Sequence, residues 1–277
     1  MTAGELGAGP IGIFDSGVGG LSVLTAVRTL LPREDLIYIA DQVHVPYGSR
    51  SLAEVRGFAE GITRYLLDQD AKLVVVACNT ASAAALHYLR EVYPDVPFVG
   101  MEPAVKPAAE STHSGVVGVL ATPATFQGEL YASVIERFAN NVQVLQDTCP
   151  GLVMEIDQGN LDTAEVYTIL EGALKPMLEE GIDTVVLGCT HFPFVIPAIE
   201  TIVGPGVRVI DPSPAIARQV QRLLEEKGLL NKTTSQSKVQ YFTTGNPDQL
   251  QDLLPRLIKD SGEVNLLAWD QLDYRLF

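Results

Sequence analysis

Short apolar, β-branched runs alternate along the chain with longer stretches in which apolar residues recur at helical spacing. Nine runs read as strands: IGIF from Ile11, DLIYIA from Asp35, KLVVVA from Lys72, VPFVG from Val96, VVGVLA from Val116, VQVLQ from Val142, DTVVLG from Asp183, VRVI from Val207 and VQYFTT from Val239. Between them lie amphipathic helical segments. One opens at Ser51 with Glu54 three residues on, the signature of a capping box, and sets Val55, Phe58, Ile62 and Tyr65 along one face. Another starts after Ser213, with Pro214 at its first position, and stops at Gly228. Strand and helix in regular alternation predict an α/β fold with mainly parallel central sheets covered by helices.

Sliding the sequence against itself exposes an internal repeat. At a separation of 106 residues Gly12 meets Gly118, Ser16 meets Thr122 and Asp41 meets Asp147; the offset then becomes 111, where Cys78 falls on Cys189 and Pro103 on Pro214. Any two strand–helix–strand stretches align loosely, because buried strands share Val, Ile and Gly. What that generic likeness does not supply is a cysteine at the same step after a strand in both copies, the place where open α/β sheets carry ligand-binding groups. Two similar halves facing one another present two such strand ends to one cleft of approximate two-fold symmetry.

Composition narrows the function classes. A chain of 277 residues can bury a substantial core as one large or two smaller α/β domains, and 47% hydrophobic with 19% charged residues is ordinary for a folded globular protein. A formal charge of −15 repels phosphate backbones, so nucleic acid is not expected as a primary ligand. No run approaches the length of a membrane span, and MTAGELGAGP has neither a basic nor an apolar signal region; residues 1–9 read as a flexible tail and the protein as cytoplasmic. Three cysteines are too few and too odd in number for a disulfide scaffold, which leaves free thiols.

Four segments carry chemistry. IGIFDSGVGGL from Ile11 runs from a strand into a Gly-rich turn whose amides can hold an anion; it lacks a Walker lysine and the dinucleotide glycine spacing, so a nucleotide is not expected there. Asp15 at its strand end is either a proton-handling carboxylate or a cap of the turn, and Ser16 is a hydroxyl for substrate. YIADQVHVPYGS from Tyr38 brings Pro46, Tyr47 and Gly48 toward a small ligand, while His44 reads as a surface loop residue. ACNT at 77 and GCTH at 188 each place a cysteine after a buried strand, with a helix expected just after it, Asn79 or Thr80 capping the first copy. A thiol at a helix N-terminus has its thiolate favoured, and His191 gives Cys189 a proton partner; the plain alternative for a free cysteine is a small buried apolar residue, the reading given to Cys149.

Other uses of these residues fit less well. Three cysteines and four histidines lie scattered without a Cys-x-x-Cys, so no structural metal site is expected. A hydrolytic Cys189–His191 pair would leave Cys78 unexplained. Inverting an α-carbon, by contrast, needs a base on one face and an acid on the other, exchanging roles with direction, and a matched pair of thiols supplies both. Lysines 72, 106, 175, 227, 232, 238 and 259 stand in no recognisable pyridoxal motif, so the site is expected to be cofactor-free. Donors for the substrate then include Ser16, Asn79, Thr80, Thr122 and Thr190.

The blocks FDSGVGGLSVL, YIADQVHVPYGSRS, VVACNTASAAAL and LGCTHFPF, in this order and at these separations, resemble the glutamate racemase family across residues 10–245. That resemblance implies two α/β domains related by a pseudo-two-fold, residues 1–101 with 212–277 and residues 102–211, and an active site in the cleft between them. It further implies cofactor-independent interconversion of L- and D-glutamate, supply of D-glutamate for peptidoglycan and a homodimer. By motif, Cys78 would act on the D enantiomer and Cys189 on the L enantiomer, assisted by Asp15 and His191. Asp15, Ser16, Tyr47, Gly48, Asn79, Thr80, Thr190 and His191 would hold substrate, and Glu155, in CPGLVMEID beside Asp157, would be a further acidic helper. Aspartate, a hydantoin or a small dicarboxylate remains open as substrate, as does a non-catalytic regulatory protein of the same fold.

Overall fold

The computed structural model describes residues 9–139, 141–232, 237–270 and 274–277. The tail expected over residues 1–9, except for Gly9, lies outside the described residues, as do residues 233–236 of NKTTSQSK from Asn231, a polar stretch without period that reads as an exposed loop. The first part of the chain runs β1 (Ile11–Asp15), α1 (Leu21–Leu30), β2 (Leu36–Ala40), α2 (Leu52–Asp68), β3 (Leu73–Val76), α3 (Asn79–Val92) and β4 (Phe98–Gly100). The second runs α4 (Val105–Ser111), β5 (Val116–Ala121), α5 (Pro123–Gln127), α6 (Glu129–Phe138), β6 (Gln143–Asp147), α7 (Leu152–Asp157), α8 (Ala164–Glu179), β7 (Thr184–Gly188), α9 (Ile196–Val203) and β8 (Arg208–Ile210). The remainder is α10 (Ser213–Lys227), β9 (Val239–Thr243), α11 (Pro247–Ile258), β10 (Val264–Leu266) and a short antiparallel pair, β11 (Trp269–Asp270) with β12 (Arg275–Leu276).

Two parallel sheets result. One has the order β10-β9-β2-β1-β3-β4, the other β6-β5-β7-β8. The sub-order β2-β1-β3-β4 is thus repeated strand for strand in the second sheet, and so is part of the register. Gly12 pairs with Val74 and Val74 with Phe98; Gly118 pairs with Val185 and Val185 with Val209. Those pairings reproduce the offsets of 106 and 111 residues read from the sequence.

All nine expected strands form. β10 and the β11–β12 pair were not expected, because two or three residues are too few to show a period. Ser51 caps α2 with the full capping box, and Val55, Phe58 and Ile62 are buried beneath it. α10 begins one residue earlier than expected, with Pro214 at its second position, and ends at Gly228 in the left-handed region. A helix begins directly after Cys78 as expected but with a different cap, and none begins directly after Cys189. Cys78 itself is the N-cap of α3, its sulfur accepting from the Ala81 amide at 3.5 Å, whereas Asn79 and Thr80 lie inside the helix. After Cys189 a 3₁₀ turn over Phe192–Val195 precedes α9, since Pro193 and Pro197 have no N–H to extend an i→i−4 ladder upstream.

Successive strand residues face opposite layers. Ile11 and Ile13 of β1 join a core shared with α1, α8, α9 and α10, while Phe14 joins a second core with Phe58, Ile62 and Val76. The shared core includes Leu24, Val27, Leu170, Leu174, Ile199 and Val220, so apolar burial links residues before 101 to residues after 148. At roughly 1.5–3 kcal/mol for each fully buried Leu, Val or Ile side chain, that continuity is what fixes the two sets of strand ends opposite one another.

Candidate active site

A cavity of about 390 Å³ lies where the C-terminal ends of the strands of both sheets converge, a volume within the roughly 300–1,000 Å³ usual for small-molecule sites. Cys78, just beyond β3, and Cys189, just beyond β7, both line it, each 5% exposed. Ser16, Pro46, Tyr47, Gly48, Asn79, Thr80, Thr122, Thr190 and His191 line it too. Asp15 sits behind this surface, fully buried at the end of β1.

The two thiols have different neighbours. Burial raises the Asp15 carboxyl above its ordinary value, partly offset by the charge of His191, by the Cys78 side chain and by the Gly20 amide. Asp15 Oδ2 accepts from the Gly20 amide at 2.7 Å and from Thr190 Oγ1 at 3.3 Å, so the residue caps the turn and also faces the site. Asp15 Oδ1 is buried without a partner. Burial, then the Asp15 charge, hold the Cys78 thiol well above the usual range, which keeps a proton on sulfur.

Cys189 Sγ lies 3.7 Å from His191 Nδ1, and His191 Nε2 lies 3.3 Å from Asp157 Oδ2, at ion-pair distance but without hydrogen-bond alignment. Burial alone would push the imidazole pKa down; the Asp157 carboxylate outweighs it and raises His191 well above its ordinary value. The imidazole is therefore held as a cation between a sulfur and a carboxylate. Asp157 is anchored in turn by the Val18 amide, 3.0 Å from its Oδ1. Ser22 Oγ on α1 donates to the Thr190 carbonyl at 3.0 Å, tying this segment to the first half.

Those contacts explain the glycines after Ser16. A Cβ at Gly19 would collide with His191 Nδ1 and Thr190 Oγ1, and one at Gly17 with the Asp157 carboxylate. Gly17 and Gly19 are thus required because the second half packs directly on them, whereas a Cβ at Gly20 would meet Asp15 and Tyr38 of the first half.

Polar groups complete the cavity. Thr80 Oγ1 and Thr122 Oγ1 are 2.9 Å apart, and Thr122 Oγ1 stands 2.9 Å from Thr125 Oγ1, a hydroxyl chain from α3 to α5. Both polar side-chain atoms of Asn79 are buried and unpartnered at the cavity wall, free to bind a polar ligand.

Glu155 does not join this group. Its carboxylate accepts from Asn160 Nδ2 at 3.0 Å, and residues two apart on α7 point to opposite sides, so Asp157 takes the position beside His191. Cys149 is buried as expected yet lines the cavity, its thiol raised by burial and by Asp147. His44 is not a plain surface residue: its ring stacks on Phe58, with centroids 3.9 Å apart, and its Nδ1 lies 2.9 Å from Asp41 Oδ2. Sequence reasoning also missed the wall formed by Thr148, Pro150, Val153 and Met154. A helix of six residues following Cys149-Pro150-Gly151 is too short to reveal which of its faces meets a ligand. Among the described residues no group of three or more His, Cys, Asp or Glu stands where it could hold a metal ion, and no helix is long and apolar enough to cross a membrane.

The chain is 51% identical over 251 residues to a glutamate racemase of Roseiflexus sp. (strain RS-1), a match covering 90% of this chain and 92% of the relative. Among solved structures, a glutamate racemase isoform of Bacillus anthracis superposes with a TM-score of 0.84 at 32% identity, covering 96% of this chain and 99% of that one. The glutamate racemase of Francisella tularensis in complex with D-glutamate superposes with a TM-score of 0.82 at 31% identity, covering 95% and 98%. Residues 20–220 match the model of the Asp/Glu/hydantoin racemase family, and with this match, these relatives and two thiols facing one cavity from equivalent strand ends, the chain belongs to that family.

Proposed function

We propose that this protein is a glutamate racemase that works by two-base proton transfer between Cys78 and Cys189, without a cofactor. The observation that carries the mechanism is the pair of thiols after equivalent strands β3 and β7, lining one cavity, each with its own ionisable neighbour. Glutamate as substrate rests on the 51% identity to the Roseiflexus protein and on the likeness to the Francisella protein bound to D-glutamate. In the same reading residues 1–101 with 212–277 and residues 102–211 form two domains about the cleft. D-Glutamate supply for peptidoglycan, a homodimer and a cytoplasmic location follow from the family likeness.

With L-glutamate bound, Cys189 removes the α-proton and Cys78, held protonated by its surroundings, delivers one to the opposite face. The sulfur that takes this proton faces the His191 imidazolium, whose charge Asp157 balances. In reverse, Cys78 must first lose its proton, a costly step for so weakly acidic a buried thiol, and Asp15 beside it is placed to accept that proton before the thiolate acts as base. Carboxylate and ammonium of the substrate are held by Ser16, Asn79, Thr80, Thr122 and Thr190, whose hydroxyl and amide groups also stabilise the charge that develops on the substrate carboxylate. Near-complete burial of both sulfurs keeps water from the carbanion.

Incubation with L-glutamate in D₂O, followed by circular dichroism and α-deuterium uptake, tests this reading. Loss of optical activity with deuterium entering the product is expected; a static dichroism signal and no exchange would sink it.

A further inference from the structure

Among the described residues outside the reacting centre, the carboxylate of Asp41, which immediately follows β2 and is completely buried, meets four side-chain partners. Its Oδ2 accepts from Tyr47 Oη at 2.6 Å and faces His44 Nδ1 at 2.9 Å. Its Oδ1 accepts from Thr244 Oγ1 at 2.8 Å and from Trp269 Nε1 at 2.7 Å. Four donors fill the acceptor capacity of a carboxylate, and they come from three places: the loop after β2, the end of β9 and the C-terminal hairpin. The Asp41 amide also donates to the Asp15 carbonyl at 2.9 Å.

The donors from the loop matter because of where that loop leads. Pro46, Tyr47, Gly48 and Ser49 form one wall of the cavity, and Gly48 abuts Thr122 so closely that an added Cβ would stand 3.1 Å from the Thr122 Cβ. Tyr47 is 99% buried and its hydroxyl spends its proton on Asp41, so the carboxylate fixes the tyrosine from behind the wall. Arg50 Nε donates to the His44 carbonyl at 2.6 Å, and His44 packs in one aromatic cluster with Phe58 and Trp269, with ring centroids 3.9 and 5.5 Å away. The loop is tied to the C-terminal part of the chain at the end of β9, where Thr243 Oγ1 donates to Gln42 Oε1 and Thr244 Oγ1 accepts from the Val43 amide, and at the hairpin, where Trp269 reaches it through Asp41.

From this geometry we infer that Asp41 is a positioning residue for substrate binding, and that the C-terminal hairpin, through Trp269, belongs to the machinery that holds the Pro46–Ser49 wall against the substrate. The inference rests on the racemase reading. Neither Asp41 nor Trp269 touches a reacting thiol, so their effect falls on binding common to both enantiomers and leaves the proton transfer itself intact.

Steady-state kinetics of the full chain in both directions, with a thermal melt of each variant, test it. Trp269→Phe keeps the ring and removes the N–H; Tyr47→Phe removes the hydroxyl. Each is expected to raise KM for both enantiomers by roughly tenfold, the lower end for loss of one hydrogen bond to a charged group, with kcat held within about twofold. Because both act through the one carboxylate, the double variant is expected to resemble the worse single variant instead of the product of the two. A lowered Tm with unchanged KM would reduce the hairpin to a stabilising clasp and overturn the inference, as would multiplicative effects in the double variant or a loss confined to kcat. An unmodified protein that fails to racemise glutamate would instead overturn the racemase reading, a distinct outcome.

Discussion

The surroundings of Cys78 and Cys189 start from the same backbone plan and end with opposite electrostatics. Both sulfurs follow the strand third in chain order within their repeat, and both are 5% exposed. Around Cys78 the ionisable neighbour is a carboxyl group with one unpartnered oxygen; around Cys189 it is an imidazolium backed by a second carboxylate. A duplicated scaffold supplies two equivalent positions, and the side chains that converge on each give it its own way of handling a proton. For a reaction run in both directions on a chiral substrate, the symmetry belongs to the backbone and the asymmetry to the neighbours.

The comparison can be broken most severely at the sulfurs. Cys78→Ala and Cys189→Ala should each lower racemisation by roughly 10²–10⁴-fold, the range for removal of a general acid or base, as measured by dichroism. Full activity in either variant would end the two-base account.

A finer cut separates the neighbours. Enantiomers have equal free energies in water, so kcat/KM must fall equally in the two directions whichever face is damaged; the face is read from isotope effects. Asp157→Asn removes the charge that keeps His191 protonated, a change expected to cost about 10–100-fold in kcat/KM. It should raise the primary isotope effect with α-deuterated L-glutamate. Asp15→Asn should instead raise it with α-deuterated D-glutamate. Identical isotope patterns from both variants would erase the distinction between the two surroundings.

The smallest effect concerns the start of β7, where Asp183 stands at the point that Lys72, paired with Glu34, holds before β3. Asp183 accepts from Thr112 Oγ1 at 2.7 Å and from the Ser114 amide at 2.8 Å, and these bonds, outweighing burial, lower its carboxyl to about 2. A depressed carboxylate adds stability above its unfolded value of about 3.9 and loses it as pH falls through the folded value. The stability difference between the unmodified protein and Asp183→Asn should therefore shrink between about pH 4 and pH 2, in chemical denaturation, and stay level above that window. A difference that persists undiminished at pH 2 would remove Asp183 from the acid response.

Much of this was legible in one dimension. Continuous Val and Leu runs at 72 and 183, the capping box at Ser51 and the matched spacing of Cys78 and Cys189 are local signals, since strand burial, caps and repeats are written in neighbouring residues. What stayed hidden depended on contacts across long separations. Glu155 and Asp157 look interchangeable in MEID; only the rotation of α7 against the Gly-rich turn puts Asp157 on His191 and turns Glu155 toward Asn160. Asp41 reads as a strand-end turn residue, yet its partners include Thr244 and Trp269, more than 200 residues away. By itself the sequence determined the alternation of elements, the duplicated plan and the two thiols at equivalent strand ends, because backbone preference and periodicity act over a few residues. Tertiary structure alone decided which charges surround each thiol and what braces the substrate wall, because a buried carboxylate is defined by the donors that folding brings to it.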